Sequence, residues 1–403
     1  METQSRGSLW TPAFITLSLA ELAYFLANGV AIPVVPLYAS GPLRADEFGV
    51  GLAVGAFSAT AFVLRPVAGR SADRFGRRPL LVIGGLAYAL ITAAMALSSH
   101  LPELVVLRLL LGVAEAFFFV AGFAALADLA PPGRAGEALS FNSLSLYLGI
   151  ALGPLLGEAL LDRGGFNWAL LGGAGFSVLA ALLALGLPDT RSPGPVAEAP
   201  PPAPLVHPAA IGPGLALFTG IAAMSGFYAF IAIYATGLGL GGSRLVLLEF
   251  GLIVVAGRIV FARLPDRMPP FHVGAIALAL ASVGLLLIAV SGSIPGLLVG
   301  AAILAIGVTL MTPALFAAVV TRVAPTQRGA ALGTASAFID LGFGAGPIAL
   351  GFVANEAGIP AAFIAGAAIS GSGAIGAAVL TRRRSRRVVS SAMGDPEDLA
   401  VLE

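Results

Sequence analysis

The chain has 403 residues, of which 58% are apolar and 11% charged, and its mean hydropathy is +0.96. Soluble domains contain roughly 45–50% apolar residues even when glycine is counted, so this composition argues against a soluble protein. The net charge of +1 gives no reason to expect a nucleic-acid partner. We predict an integral membrane protein.

The residue types that are absent exclude several kinds of chemistry. All 22 basic residues are arginine, so the chain has neither a P-loop lysine for ATP hydrolysis nor a lysine that could hold retinal or pyridoxal as a Schiff base. There is no cysteine, and His100, His207 and His272 are too far apart in sequence to form a zinc motif. We therefore expect no enzyme activity, no cofactor and no metal site.

Twelve apolar stretches reach the ~20 residues that a membrane span needs. They lie at 13–38, 48–68, 79–98, 102–128, 138–161, 168–187, 211–236, 245–262, 271–290, 295–320, 330–353 and 359–380. Residues 188–210 separate six spans from six others and are too rich in proline for a helix. The predicted domains are a helical bundle at 1–187, a linker at 188–210, a second bundle at 211–381 and a disordered tail at 382–403.

Arginine is distributed unevenly between the two sides of this predicted array. The N-terminus, the even-numbered connections and the tail carry most of the arginines, whereas the other side has three, Arg44, Arg163 and Arg244. The positive-inside rule then places both termini in the cytoplasm. The excess of Ala, Gly and Arg without Lys points to a GC-rich, hence bacterial, genome, and we expect the protein in the inner membrane.

The two halves repeat each other at an offset of 193 residues, so that Arg65 recurs as Arg258. At the same offset Arg70, Asp73 and Arg74 recur as Arg263, Asp266 and Arg267, and Gly149, Gly153 and Pro154 recur as Gly342, Gly346 and Pro347. Such a repeat predicts two membrane-embedded halves that run in the same direction, with a substrate path between them.

The first span carries three polar residues on one helical face, Glu21, Tyr24 and Asn28. This face should point inward, because a carboxylate that faces lipid costs about 2.5 kcal/mol or more. Two interpretations stay open for Glu21. It is either a proton or cation site, or a hydrogen-bonded structural acid.

The connection between the second and third spans reads Gly69-Arg-Ser-Ala-Asp-Arg-Phe-Gly-Arg-Arg78. It resembles the G-x-L-x-D-R-x-G-R-R signature of the major facilitator superfamily, with Ser71 in place of leucine. The resemblance implies an all-α integral membrane fold of twelve transmembrane helices in two six-helix, pseudo-symmetric bundles. It also implies a gating charge cluster that latches the halves, for which the candidates are Arg65, Gly69, Arg70, Asp73, Arg74, Arg77, Arg258, Asp266 and Arg267. The alternative is that these arginines only anchor the topology.

The fourth span contains Arg108, followed by Gly112, which matches the R-x-x-x-G element of the same superfamily. Glu115 lies seven residues after Arg108 on the same face, about 10 Å away along the helix axis. Because this distance is too long for direct pairing, Glu115 needs another partner or must be protonated. We predict Glu115 as the proton-coupling carboxylate, with a static Arg and Glu network as the alternative.

The glycine motif of the fifth span, from Gly149 to Gly157, resembles the antiporter signature of this superfamily, with Glu158 in place of its last glycine. Its recurrence from Gly342 in the eleventh span leaves a second interpretation open, in which it serves helix packing. Glu158 closes the fifth span and is expected to be solvated.

Further candidates lie elsewhere in the spans. Asp340 is the second choice for a coupling or substrate-orienting carboxylate, and Asn142 is a further substrate candidate. Asp128 is expected to pair with Arg134 or Arg70. Aromatic residues of the fourth and seventh spans, Tyr228 among them, could line a cavity or could simply pack.

The resemblance is strongest to the drug and metabolite exporters of twelve helices and to permeases named for sugar efflux. It implies a transporter with alternating access that couples inward proton flow to export of a small organic solute. The alternatives are a proton symporter, a facilitative uptake carrier or, more remotely, a transport-inactive sensor. The expected partners are the solute, protons and the lipid bilayer, and the default oligomeric state is a monomer.

Overall fold

The computed structural model describes residues 9–131, 134–190, 206–261, 268–324 and 327–392. These parts of the chain are helical and contain no β-strand. The helices are α1 (Pro12–Ser40), α2 (Glu47–Phe75), α3 (Arg77–Met95), α4 (Leu101–Leu129), α5 (Ala135–Leu185), α6 (Pro208–Gly237), α7 (Arg244–Val260), α8 (Pro270–Ser291), α9 (Ile294–Val320), α10 (Arg328–Ala357) and α11 (Ile359–Ala392).

Each of the twelve predicted spans corresponds to a helical segment. Helix α5 holds two of them, separated by a break at Gly164 and Gly165, where Gly165 has a φ of 73° that favours glycine. Within the described residues, ten helices are long and apolar enough to cross a membrane, and α7, with 17 residues, is at the short limit for a span. The prediction of an all-α, twelve-span membrane protein is confirmed.

Local sequence explains where several helices begin and end. Asp46 precedes α2 and accepts a hydrogen bond of 2.7 Å from the backbone N–H of Gly49, and Thr11 and Ser293 cap α1 and α9 in the same way. Gly76 ends α2 with a φ of 94°, a conformation that other residues rarely adopt. The predicted linker lies mostly outside the described residues, and α11 continues into the predicted tail.

Helix packing repeats between the halves as the sequence repeats. Helix α1 packs on α5 as α6 packs on α10, and α2 packs on α4 as α7 packs on α9. Large apolar side chains such as Val63, Ile83 and Leu90 remain more than half exposed on the outer surface, which suits helices surrounded by lipid rather than water. We call the end of the bundle that carries Gly76 the motif side and the other end the opposite side.

Candidate functional site

The halves meet chiefly along two helix pairs, α2 with α10 and α5 with α7, and α1 also contacts α6. In the first pair a Cβ atom on Gly55 would overlap the carbonyl oxygen of Gly344, and in the second pair Gly251 lies against Ala151. The two contacts lie at corresponding places in the interfaces, because Ala151 and Gly344 are 193 residues apart, although their partners Gly55 and Gly251 are 196 residues apart and so differ by about one helical turn. Small residues therefore let the halves approach closely at two symmetry-related places.

An ion pair between Arg65 and Asp340 crosses the first of these interfaces. Nη2 of Arg65, in α2, donates to Oδ1 of Asp340, in α10, at 2.7 Å. The Asp340 side chain is 8% exposed and that of Arg65 27%, while the guanidinium also lies 4.7 Å from the ring centroid of Phe119. The other carboxylate oxygen of Asp340, Oδ2, is buried without a hydrogen-bond partner. Arg65 and Asp340, which the sequence placed in separate halves, thus form one contact.

The second interface carries the counterpart of this pair in a different chemical form. Arg258 repeats Arg65, and the residue that occupies the position of Asp340 in the first half is Tyr147. The guanidinium of Arg258 lies 4.5 Å from the ring centroid of Tyr147, at a distance typical of a cation–π interaction. Among the described residues no carboxylate pairs with Arg258.

Glu115 lies in α4 close to the Arg65–Asp340 pair. It interacts electrostatically with Arg65, Asp340 and Arg108, and its Oε2 is buried without a hydrogen-bond partner. Phe118, one turn further along α4, stacks on Tyr24 at 3.9 Å between ring centroids. Arg65 is therefore paired with the carboxylate of Asp340 in the second half and lies within electrostatic range of the carboxylate of Glu115 in the first half.

Arg108 is not paired with Glu115 in the structure. Its Nε and Nη2 donate to the backbone carbonyls of Ala53 and Val54 in α2 at 2.9 and 3.0 Å, and its guanidinium lies over Phe57. These contacts join α4 to α2 within the first half. The geometry matches the static interpretation of Arg108 better than a role in contacting solute.

Glu21 and Asn28 both face the interior of the first half. Glu21 is 2% exposed and packs against Gly122 of α4. The amide of Asn28 donates to the carbonyl of Tyr24 and its Oδ1 accepts from the Tyr88 hydroxyl at 3.1 Å. Asn28 therefore belongs to a polar group that joins α1 to α3.

The glycine motifs of the fifth and eleventh spans pack helices within each half. Gly153 lies against Gly29 of α1, and Gly346 lies against Ala222 of α6. The other motif residues are Gly149 and Pro154 on α5, and Gly342 and Pro347 on α10. Since the two contacts are equivalent in the repeat, the geometry fits the packing interpretation of this motif.

The turn from Gly69 to Arg78 makes its ion pairs inside the first half. Arg77 approaches Asp73 at 3.1 Å and Asp128 of α4 at 3.0 Å, so Asp128 pairs with Arg77 and not with Arg134 or Arg70 as expected. Asp73 is 75% exposed, and Arg70 and Arg74 are exposed as well. Among the described residues none of these side chains forms an ion pair with the second half.

The opposite side carries a charged contact between the halves that the sequence did not reveal. Glu158 of α5 accepts hydrogen bonds from the backbone N–H groups of Ser243 and Arg244 at 2.7 and 3.0 Å, and from the Ser243 hydroxyl. These residues begin α7, so a carboxylate of one half caps a helix of the other. The expectation that Glu158 is solvated was wrong, because the residue is 3% exposed. Arg244 also contacts Asp162 at 2.6 Å.

Three candidate residues cannot be placed in this arrangement. Asp266 and Arg267 lie outside the described residues, as does the side chain of Asn142. In the part of the chain that is described, no cluster of His, Asp and Glu could hold a metal ion. The gating and substrate roles of all the candidates stay predictions.

The sequence did not indicate Tyr147 as a partner of Arg258, nor Glu158 as a contact between the halves. The offset of 193 makes Tyr147 the counterpart of Asp340, but the two residues differ in type, so a match of identical residues does not reveal the equivalence. Glu158 gave no comparable signal, since nothing in the sequence brings the end of the fifth span to Ser243.

Comparison with known proteins identifies the family. The family model of the Major Facilitator Superfamily (MFS) matches residues 17–316 and 272–400. An uncharacterized MFS-type transporter of Salmonella typhimurium is 31% identical over 384 residues, which cover 90% of this chain and 94% of the relative. An uncharacterized MFS-type transporter of Burkholderia mallei is 30% identical over 383 residues, with 90% of both chains covered.

Solved structures of transporters share the fold. A bacterial homologue of the human lysosomal transporter Spinster, in an inward-facing and occupied conformation, superposes with a TM-score of 0.78 at 15% identity, over 93% of this chain and 98% of that one. The human organic anion transporter MFSD10 superposes with a TM-score of 0.68 at 21% identity, over 91% and 98% of the two chains. The chain belongs to the Major Facilitator Superfamily and is a multi-pass membrane protein that transports a solute.

Proposed function

We propose that this protein exports a small organic solute in exchange for protons. The observation that carries the proposal is the ion pair of Arg65 with Asp340 across the halves. Glu115, a second carboxylate, lies within electrostatic range of the same arginine. Protonation of a carboxylate removes its attraction for the arginine. A proton on Asp340 would therefore weaken the contact of Arg65 with the second half and leave the arginine to Glu115 of the first half. In this way proton binding is linked to separation of the halves.

The contacts between the halves support alternating access for this exchange. On the opposite side the halves are joined by close glycine contacts and by the Glu158 cap, as expected of a conformation that is closed on that side. We propose that the motif side is cytoplasmic, in the inner membrane of a bacterium, and that the structure corresponds to an inward-facing conformation. The arginines of the turn favour this orientation.

The fold alone does not select a solute. The similar structures are described as transporters of different compounds, organic anions for MFSD10 and nucleosides for NupG. The proposed direction and coupling therefore need a direct test on this protein.

The test uses everted membrane vesicles in which respiration builds a proton gradient that a pH-quenched dye reports. Drugs, sugars and small metabolites are added in turn to vesicles with the parent protein and with the variants Glu115→Gln and Asp340→Asn. The control variant is Glu356→Gln, which neutralises an exposed carboxylate at the end of α10.

Under the proposal, a solute releases the gradient in vesicles with the parent protein and the control, but not with either carboxylate variant. If solutes that bind the purified protein never affect the gradient, export by proton exchange is wrong. A proton symporter or a facilitative carrier is then the better description, and Glu115 becomes a structural acid.

A further inference from the structure

Among the described residues no carboxylate pairs with Arg258, whereas its repeat partner Arg65 has Asp340. Arg65 is neutralised by Asp340, whereas the equivalent position opposite Arg258 is occupied by Tyr147, which offers a ring face and a hydroxyl but no charge. The Nε atom of Arg258 is buried and has no hydrogen-bond partner. A guanidinium at an interface between helices is costly without an anion, because its charge is only partly compensated by an aromatic ring.

The surroundings of this arginine are aromatic. The Arg258 guanidinium lies over the ring of Tyr147, and Tyr228 of α6 lies within electrostatic range of Tyr147. The ring of Phe250 lies 5.5 Å from that of Tyr228 and 5.4 Å from that of Phe227. The arrangement combines one cation, two phenol hydroxyls and several ring faces from both halves.

We propose that Arg258, Tyr147 and Tyr228 bind an organic monoanion with an aromatic ring, and that its carboxylate takes the place that Asp340 occupies beside Arg65. A single unpaired guanidinium balances one negative charge and can bind a carboxylate with two parallel hydrogen bonds. The ring of the ligand packs against Tyr147 and Tyr228, while the buried rings of Phe227 and Phe250 support Tyr228 from behind. The proposed ligand is the class of solute that the transporter would carry. That the ligand is transported, and not only bound, rests on the proposed function.

Binding is tested on the purified full-length protein in detergent, without a proton gradient. The probes are benzoate and cyclohexanecarboxylate, each with its neutral amide, and the readout is the shift in unfolding temperature with ligand concentration. Benzoate should raise the unfolding temperature at lower concentration than cyclohexanecarboxylate does. The amides should have little effect.

Two variants of Arg258 test the role of its charge and shape. In Arg258→Gln the apparent affinity for benzoate should fall about 10- to 100-fold, because this is the change in affinity expected when one charge-assisted hydrogen bond is lost. Arg258→Lys should lose less, because it keeps the charge but not the two parallel donors. The matched control is Arg322→Gln, which removes an arginine that lies over the ring of Phe271 in the second half and should bind as the parent does.

The variant Tyr147→Asp keeps the proposal testable if Arg258 cannot be changed without unfolding. It gives Arg258 the carboxylate that Arg65 already has, so the protein should remain folded while benzoate binding is lost. The proposal is overturned if no acid shifts the unfolding temperature of the parent, if the amides act as well as the acids, or if Tyr147→Asp binds benzoate normally. Since this assay needs no proton gradient, failure of proton exchange would leave its result unchanged.

Discussion

Arg65 and Asp340, 275 positions apart in the sequence, form a 2.7 Å ion pair that joins the two halves of the molecule. Their repeat counterparts Arg258 and Tyr147 form a cation–π contact at the equivalent interface. The equivalent contact between the halves is therefore an ion pair at one interface and a cation–π contact at the other. We expect protonation to weaken the Arg65–Asp340 contact and not the Arg258–Tyr147 contact, which contains no carboxylate.

The Arg65–Asp340 pair should show energetic coupling in a double-mutant cycle. Arg65→Gln alone is expected to lower stability by about 1–3 kcal/mol, because it leaves the Asp340 carboxylate buried without its partner. In the double variant with Asp340→Asn, the loss should fall short of the sum of the single losses by at least ~0.5 kcal/mol. Unfolding of the purified proteins measures this, with Arg65→Gln combined with Glu356→Gln as a distant control. Strict additivity for both pairs would contradict the contact.

Removal of the Glu158 carboxylate should loosen the halves on the opposite side. Glu158→Ala leaves the first N–H groups of α7 without their acceptor, and loss of a helix cap costs about 0.5–2 kcal/mol. Because the cap joins two halves, we expect this loss to favour the conformation that is open on the opposite side. Spin labels on Leu97→Cys and Glu356→Cys, which lie at that side in different halves, report the separation, and the absence of native cysteine makes the labelling specific.

The control for this experiment is Asp162→Asn in the same labelled protein. Asp162 contacts the Arg244 side chain only at an exposed position, and such a pair contributes about 0–1 kcal/mol. The distance distribution should lengthen in Glu158→Ala and change little in Asp162→Asn. Identical distributions in all three proteins would show that the cap does not hold the halves together.

The glycine contacts between the halves should be sensitive to a single methyl group. In Gly55→Ala the new Cβ overlaps the carbonyl of Gly344, and in Gly251→Ala it overlaps Ala151. Overpacking of this kind costs about 1–3 kcal/mol, and we expect both variants to populate the separated state in the same spin-label assay. Gly175→Ala is the matched control, because its Cβ would meet nothing within 4 Å. An effect of Gly175→Ala equal to that of the other two would contradict the prediction.

Within the turn of the motif side, Arg77 should matter more for stability than Asp73. Arg77 is 16% exposed and approaches both Asp73 and Asp128, and its Nη1 also donates to the carbonyl of Ala72 at 2.8 Å. Arg77→Gln is expected to cost about 1–3 kcal/mol, whereas Asp73→Asn breaks one exposed pair and should cost under about 1 kcal/mol. Thermal unfolding of the two variants measures the order. If Asp73→Asn is as destabilising, Asp73 has a structural role that its exposure does not suggest.

Transport by Asp73→Asn then separates two interpretations of the same residue. The resemblance predicts a gating role, which would reduce the transport rate without a matching loss of stability. A topology anchor would leave the transport rate of correctly inserted protein unchanged.

Hydropathy and the repeat alone determined the number of spans and their approximate positions, although α2 extends seven residues beyond its predicted end and α5 holds two spans. Every predicted span has its helix, because a backbone in lipid must satisfy its hydrogen bonds within the segment, so a long apolar run has one stable conformation. The helical face of Glu21 and Asn28 was also predictable, since the periodicity of a helix fixes which residues point the same way. The offset of 193 also shows that Tyr147 and Asp340 occupy equivalent positions in the two halves.

Only the tertiary structure decided which side chains meet. The pairing of Arg65 with Asp340, of Arg77 with Asp128, and of Glu158 with the start of α7 depends on how helices far apart in sequence are placed against one another. Periodicity gives the direction of a side chain from its own helix, but not the depth or rotation of the helix that it faces. The contacts between the halves therefore follow from packing of the whole chain, as ion pairs and caps require atoms to approach within about 3 Å.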